Sequence, residues 1–191
     1  MKSIMIALFV LIGVFMFNSN AFAEQNWTGA QVQCVVKVTD KLTEDIGWSG
    51  TLCRFEVPSA GRQMYFAYTG VHFNPTKWLM LSPQFGGSAD WIEGEDSFVA
   101  AGWIDIKPVK GIVIGLDGEY FNTGGKEESY WFNQVNYNRG NLNVGVHWES
   151  RDNYGQFGPH IGYTKKQCTV ELQYYTGEDD HAVRVFTKLK F

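Results

Sequence analysis

The chain has 191 residues and a formal net charge of −4, with 16% aromatic residues, 21 glycines and only five prolines. It carries no basic patch with interleaved aromatics, which argues against nucleic acid as a partner. Beyond the first two dozen residues, no segment offers the roughly 20 continuous apolar residues of a membrane-spanning helix.

Residues 1–23 read as a secretory signal peptide. Lys2 supplies the positive start, Ile4 to Phe17 the apolar centre, and Ala21-Phe22-Ala23 the small-x-small cleavage site. A retained helix would need a longer apolar run. Three cysteines follow, Cys34, Cys53 and Cys168. An odd number leaves an unpaired thiol or an intermolecular bond, and export permits a disulfide without requiring one.

Residues 30–39 alternate Val32, Cys34, Val36 and Val38 against Gln31, Gln33, Lys37 and Thr39. Residues 40–45 form an ordinary polar connection. A hairpin of 30–39 with 49–57 would bring Cys34 near Cys53 and make them the candidate disulfide pair. Further strands are predicted at 49–57, 63–73, 76–86, 96–107, 110–121, 129–138, 141–150, 155–164, 167–176 and 182–191. These are the lengths a tilted strand needs to cross a bilayer. Short turns (Asn74-Pro75, Pro108-Val109, Arg139-Gly140, Lys165-Lys166) alternate with longer or more acidic loops at 58–62, 87–95, 122–128, 151–154 and 177–181. Gly86-Gly87 and Gly124-Gly125 read as loop punctuation.

Side chains of a strand alternate between two faces. Ile112, Ile114 and Leu116 oppose Val113, Gly115, Asp117 and Glu119; Leu142, Val144, Val146 and Trp148 oppose Asn143, Gly145, His147 and Glu149. Phe157, Pro159, Ile161 and Tyr163 oppose Gly158, His160 and Gly162; Val170, Leu172 and Tyr174 oppose Glu171, Gln173 and Tyr175. In the last strand, Val183, Val185, Thr187, Leu189 and Phe191 alternate with Arg184, Phe186, Lys188 and Lys190. The apolar-face aromatics sort by height. Tyr120, Trp131, Trp148 and Tyr174 fall at the loop end, and Phe73, Tyr137, Tyr163 and Phe191 at the turn end. Two aromatic rings around an aliphatic band form a membrane girdle.

The fold predicted is therefore all-β, an antiparallel up-and-down transmembrane β-barrel over 49–191. Bacterial single-chain barrels have an even strand number, so ten strands are expected, with twelve as the alternative. Residues 24–48 are then left at the rim, in the lumen, or as an extra strand.

The lumen face gathers a polar network of Asp105, Lys107, Asp117, Glu119, Gln134, Asn143, His147, Glu149, His160, Glu171 and Arg184. His147, His160 and Glu171 are its sharpest constellation, since a carboxylate orienting an imidazole can serve catalysis or a metal. No serine or cysteine nucleophile stands on an adjacent inward position, and no metal-ligand spacing is present. The plain reading is a hydrogen-bonded plug in a narrow barrel, with no catalytic residue, metal or cofactor assigned. Glu178-Asp179-Asp180-His181 does not match a calcium loop and reads as a solvated acidic loop.

The leader, the amphipathic strands, the two aromatic rings and a closing Phe191 together resemble a small bacterial outer-membrane β-barrel protein of porin-like architecture. No subfamily motif is identified. The resemblance implies an outer-membrane location with the C-terminus periplasmic. It implies lipid bilayer and lipopolysaccharide as surroundings, and the barrel-assembly machinery as the partner that reads Val183 to Phe191. Three functions are open at this point: a structural barrel or narrow porin-like channel with acidic extracellular loops, a barrel enzyme acting on envelope lipids, and a soluble lipocalin-like ligand-binding barrel.

Overall fold

The computed structural model describes residues 29–90, 95–123, 125–151, 154–177 and 181–191. The expected leader and Glu178-Asp179-Asp180 lie outside the described residues. Eleven strands are present among the described residues. They are β1 (Gly29–Lys41), β2 (Ile46–Val57), β3 (Arg62–Thr76), β4 (Leu79–Asp90), β5 (Glu95–Ile106) and β6 (Ile112–Thr123). After these come β7 (Lys126–Arg139), β8 (Leu142–Arg151), β9 (Tyr154–Lys165), β10 (Cys168–Thr176) and β11 (His181–Lys190).

Each strand pairs with its sequence neighbour in antiparallel register, and β1 closes the barrel against β11. Closure gives every wall strand two partners and leaves no sheet edge. The count is one more than the ten expected. The extra strand comes from the segment 24–48, whose alternation of Gln31, Gln33 and Lys37 with apolar residues suits it to the wall. With an odd number, one pair must run parallel. That pair is β1–β11, from Gly29↔Ala182 to Lys37↔Lys190. Phe191 extends the seam, donating its N–H to the Lys37 carbonyl at 2.9 Å and accepting from the Thr39 N–H at 2.9 Å.

Two turn assignments shift. Asn74 and Pro75 lie inside β3, beside a register irregularity between Phe73 and Thr76, and the chain reverses at Lys77-Trp78 instead. A bulge interrupts the ladder, so it accommodates a proline that has no N–H to donate. Gly86 and Gly87 are not loop residues, because β4 continues to Asp90. A Cβ at Gly86 would come within 1.7 Å of the Ala67 carbonyl oxygen, so only glycine lets β3 and β4 approach this closely there.

Burial is inverted relative to a soluble domain. Ile161 is 55% exposed and Val146 53%, whereas His147 and Gln173 are each 1% exposed. The strand alternation turns aliphatic side chains outward and stores polar ones inside.

Candidate functional site

The lumen is a cavity of about 1130 Å³ with two unlike walls. Strands β7–β11 with β1 contribute mainly hydrogen-bonding side chains, and β2–β6 mainly aromatic and apolar ones.

The polar wall is organised at its loop end around Arg184. Its guanidinium meets Glu149 through two parallel contacts, Nη2 to Oε1 at 2.9 Å and Nη1 to Oε2 at 3.0 Å. The same group donates to Gln31 Oε1 at 2.8 Å and to the Tyr175 hydroxyl at 2.6 Å. Its plane lies 4.4 Å from the Tyr175 ring centre and 4.9 Å from that of Phe55. Glu149 also accepts from Tyr130 Oη at 2.7 Å and from Gln156. β8 and β11 are not neighbours, so this fork spans part of the lumen. Such a pair is costly to bury and strongly destabilising to halve.

Lower on the same wall, His160 Nε2 lies 2.5 Å from Asn136 Oδ1 and donates to it. The Nδ1 atoms of His147 and His160 are 3.2 Å apart, within hydrogen-bond distance, and the tautomers decide which ring donates. His147 also packs at 4.1 Å between ring centres against Tyr175. The sequence predicts a Glu171–imidazole element, and the structure corrects it. Register sets Gln173, not Glu171, opposite His160. Glu171 instead accepts from Asn143 Nδ2 and Gln173 Nε2, both at 3.0 Å. These large side chains fit because inward glycines alternate with them. A Cβ at Gly145 would stand 2.8 Å from the His160 ring, and one at Gly162 would stand 2.5 Å from Glu171 Cγ.

The aromatic wall uses the same device for a different purpose. Inward Gly86 and Ser88 of β4 are small, and rings from β3 reach over them. Tyr68 meets Trp103 edge-to-face at 5.6 Å, and Phe66 meets Phe121 at 6.0 Å. Tyr68 Oη donates to Glu119 Oε1 at 3.0 Å. Toward the turn end, Gln84 donates to Ser49 at 2.5 Å and to Ser82 at 3.0 Å. Lys37 extends from β1 to place its ammonium 5.0 Å from the Trp103 ring centre.

Of the predicted network, Asp105, Asp117, Glu119, Gln134, Asn143, Glu149, Glu171 and Arg184 line the cavity, and His147 and His160 are buried in its wall. Lys107 does not join them: β5 ends at Ile106, and Lys107 stands exposed on the turn rim. The Cys34–Cys53 pairing is corrected as well. Cys53 is opposite Val35, and Cys34 is opposite Arg54, so the two thiols leave opposite faces of the wall. All three cysteines are free. The outward aromatics Phe73, Tyr120, Trp131, Tyr137, Trp148, Tyr163 and Tyr174 are exposed, joined by Trp48, Phe98 and Phe157. Lys37, Tyr68, Trp103, Tyr130 and Tyr175 complete the lumen. The inward parity of Lys37, Trp103, Tyr130 and Tyr175 was readable, whereas both faces of 63–73 are apolar enough to leave Tyr68 ambiguous, and the contacts that make all five matter run between strands distant in sequence.

No protein-family model matches the chain, and no curated protein matches its sequence. Among solved structures it is similar to a KdgM porin, with a TM-score of 0.59 and 8% identity over 78% of this chain and 86% of that one. It is equally similar to a KdgM porin in complex with disordered oligogalacturonate, with a TM-score of 0.60, 8% identity and the same shares covered. At that identity the likeness is one of fold, and this chain has the closed β-barrel architecture of a porin.

Proposed function

We propose that the protein is a bacterial outer-membrane barrel that acts as a narrow, non-enzymatic passage for small hydrophilic solutes. One observation carries this reading: the inverted burial, with an aliphatic band outside and a hydrogen-bonded lumen inside. A lipocalin-like barrel would need the opposite polarity, with Val144 and Val146 inside and Glu149 outside. The exposed tyrosines and tryptophans at both strand ends support a girdle at two membrane interfaces. The acidic loops then face outward, and Val183 to Phe191 serves as the segment read by the assembly machinery.

One of the similar porins is in complex with oligogalacturonate, an acidic saccharide. The lumen here mixes Lys37, Arg184, Lys188 and Lys190 with Asp105, Asp117, Glu119, Glu149 and Glu171. That balance favours small solutes over a polyanion. The Arg184–Glu149 fork narrows the loop end, so conductance is small. The test is reconstitution into planar bilayers. Discrete current steps are expected, and silence at every voltage and salt concentration would remove the channel. Recovery of the exported protein from the soluble periplasm without detergent would remove the membrane reading altogether.

A further inference from the structure

We infer that the lumen holds a recognition site for an organic ammonium ion, built from Tyr68, Trp103, Asp117 and Glu119 and occupied by the chain's own Lys37. The inference rests on the channel reading only for the route by which a solute arrives. Tyr68 and Trp103 meet at an interplanar angle of 86°, which makes an aromatic corner. Both line the cavity, so their free surfaces face it. Asp117 lies opposite Trp103 in the β5–β6 register, and Glu119 is the next inward residue of β6. Two carboxylates at consecutive positions of one strand face repel each other, and a cation between them relieves that repulsion.

Two further observations point to a ligand. Asp117 takes a hydrogen bond from the Trp103 side chain, and its Oδ1 is buried without a partner among the described residues. Glu119 accepts a hydrogen bond from Tyr68, which fixes the phenol as part of the corner. An ammonium already lies over Trp103, that of Lys37, which comes from β1 beyond the three intervening strands. Lys37 interacts electrostatically with Asp105 and Asp117, and is opposed by Lys188 and Lys190. It is thus a tethered cation drawn to the carboxylates and pushed by its lysine neighbours. An alkylated ammonium suits the corner better than a metal ion. Ring faces attract it by their quadrupole, whereas a calcium ion would require six to eight oxygen ligands. A solute cation competes with Lys37 for the same faces.

The test is isothermal titration of tetramethylammonium into the detergent-solubilised barrel, with sodium and calcium chloride as controls. Each variant is first checked for heat-modifiable migration, which reports a closed barrel. Lys37→Met removes the tethered competitor and is expected to tighten tetramethylammonium binding about tenfold. Adding Trp103→Leu or Asp117→Asn to Lys37→Met should each reverse that gain. Equal affinity of wild type and Lys37→Met would overturn the inference, as would calcium binding as tightly as tetramethylammonium. Bilayer recordings separate the two proposals. Binding without any conductance leaves the ammonium site and removes the channel. Conductance with no Lys37→Met gain leaves the channel and removes the site.

Discussion

The two walls of the lumen solve one packing problem in opposite ways. Each sets glycines among its inward positions so that a large side chain can lie across a neighbouring strand. On β8–β10 the space freed by Gly145 and Gly162 is filled by His160 and Glu171, whose hydrogen bonds fix their orientation. On β3–β6 the space over Gly86 is crossed by Tyr68 and Phe66, which touch other rings instead. Hydrogen-bonded groups tolerate little displacement, because a lost partner costs the desolvation of what remains. Aromatic contacts prefer certain ring angles but lose energy gradually as the rings are displaced. The polar wall is therefore expected to be brittle and the aromatic wall compliant.

That contrast breaks most visibly at Glu149. Glu149→Ala leaves Arg184 buried without its counter-ion and should cost about 3–5 kcal/mol of stability, measured by urea unfolding in detergent. The double variant Glu149→Leu with Arg184→Met should recover to within about 1 kcal/mol of wild type, since removing both charges also removes the penalty of burying them. If the single variant folds as well as wild type, the polar wall is not brittle. Gly145→Ala comes next. A methyl group there collides with the His160 ring and the Val135 carbonyl, so a loss of about 1–3 kcal/mol is expected. NMR signals of both imidazoles should shift with it.

Phe121→Ala probes the other wall. It should lower stability by only about 1–2 kcal/mol, because the ring is part-buried beside a cavity and not enclosed. Single-channel conductance should rise as the lumen widens. A loss as large as that of Glu149→Ala would erase the distinction between the walls. The smallest effect belongs to Lys166, whose φ of +56° lies in the left-handed region. Lys166→Gly relieves that strain and should stabilise by about 0.5–1 kcal/mol. Lys166 lines the turn end of the cavity but makes none of the ring or hydrogen-bond contacts described for either wall, so the NMR signals of His147 and His160 should stay unchanged.

The strands and their faces were legible because period-two alternation is local: Leu142 to Trp148 declares its two sides without help from the rest of the chain. The inward residues were legible for the same reason. Three things were not. The even-number expectation displaced a strand at 30–39 whose own pattern was as regular as any other, and the parallel seam is a property of closure that no local pattern announces. The cysteine pairing failed by one register step, since Lys41 pairs with Gly47 and that choice sets Val35 opposite Cys53. Arg184 and Glu149 were each assigned to the lumen, but their mutual fork depends on the curvature that brings β8 toward β11. The same holds for Lys37 and Trp103, which are 66 positions apart in the sequence and meet only across the barrel.

The parallel seam also decides how the two ends of the wall are addressed. Since β1 and β11 point the same way, Gly29 stands beside Ala182 at the loop rim, while Phe191 closes the turn rim beside Lys37. In a barrel with an even number of strands both ends would open on one side. On the membrane reading proposed above, an epitope at Gly29 and another after Phe191 would be reached from opposite compartments of a sealed vesicle. One protease, added from one side, could remove only one of them.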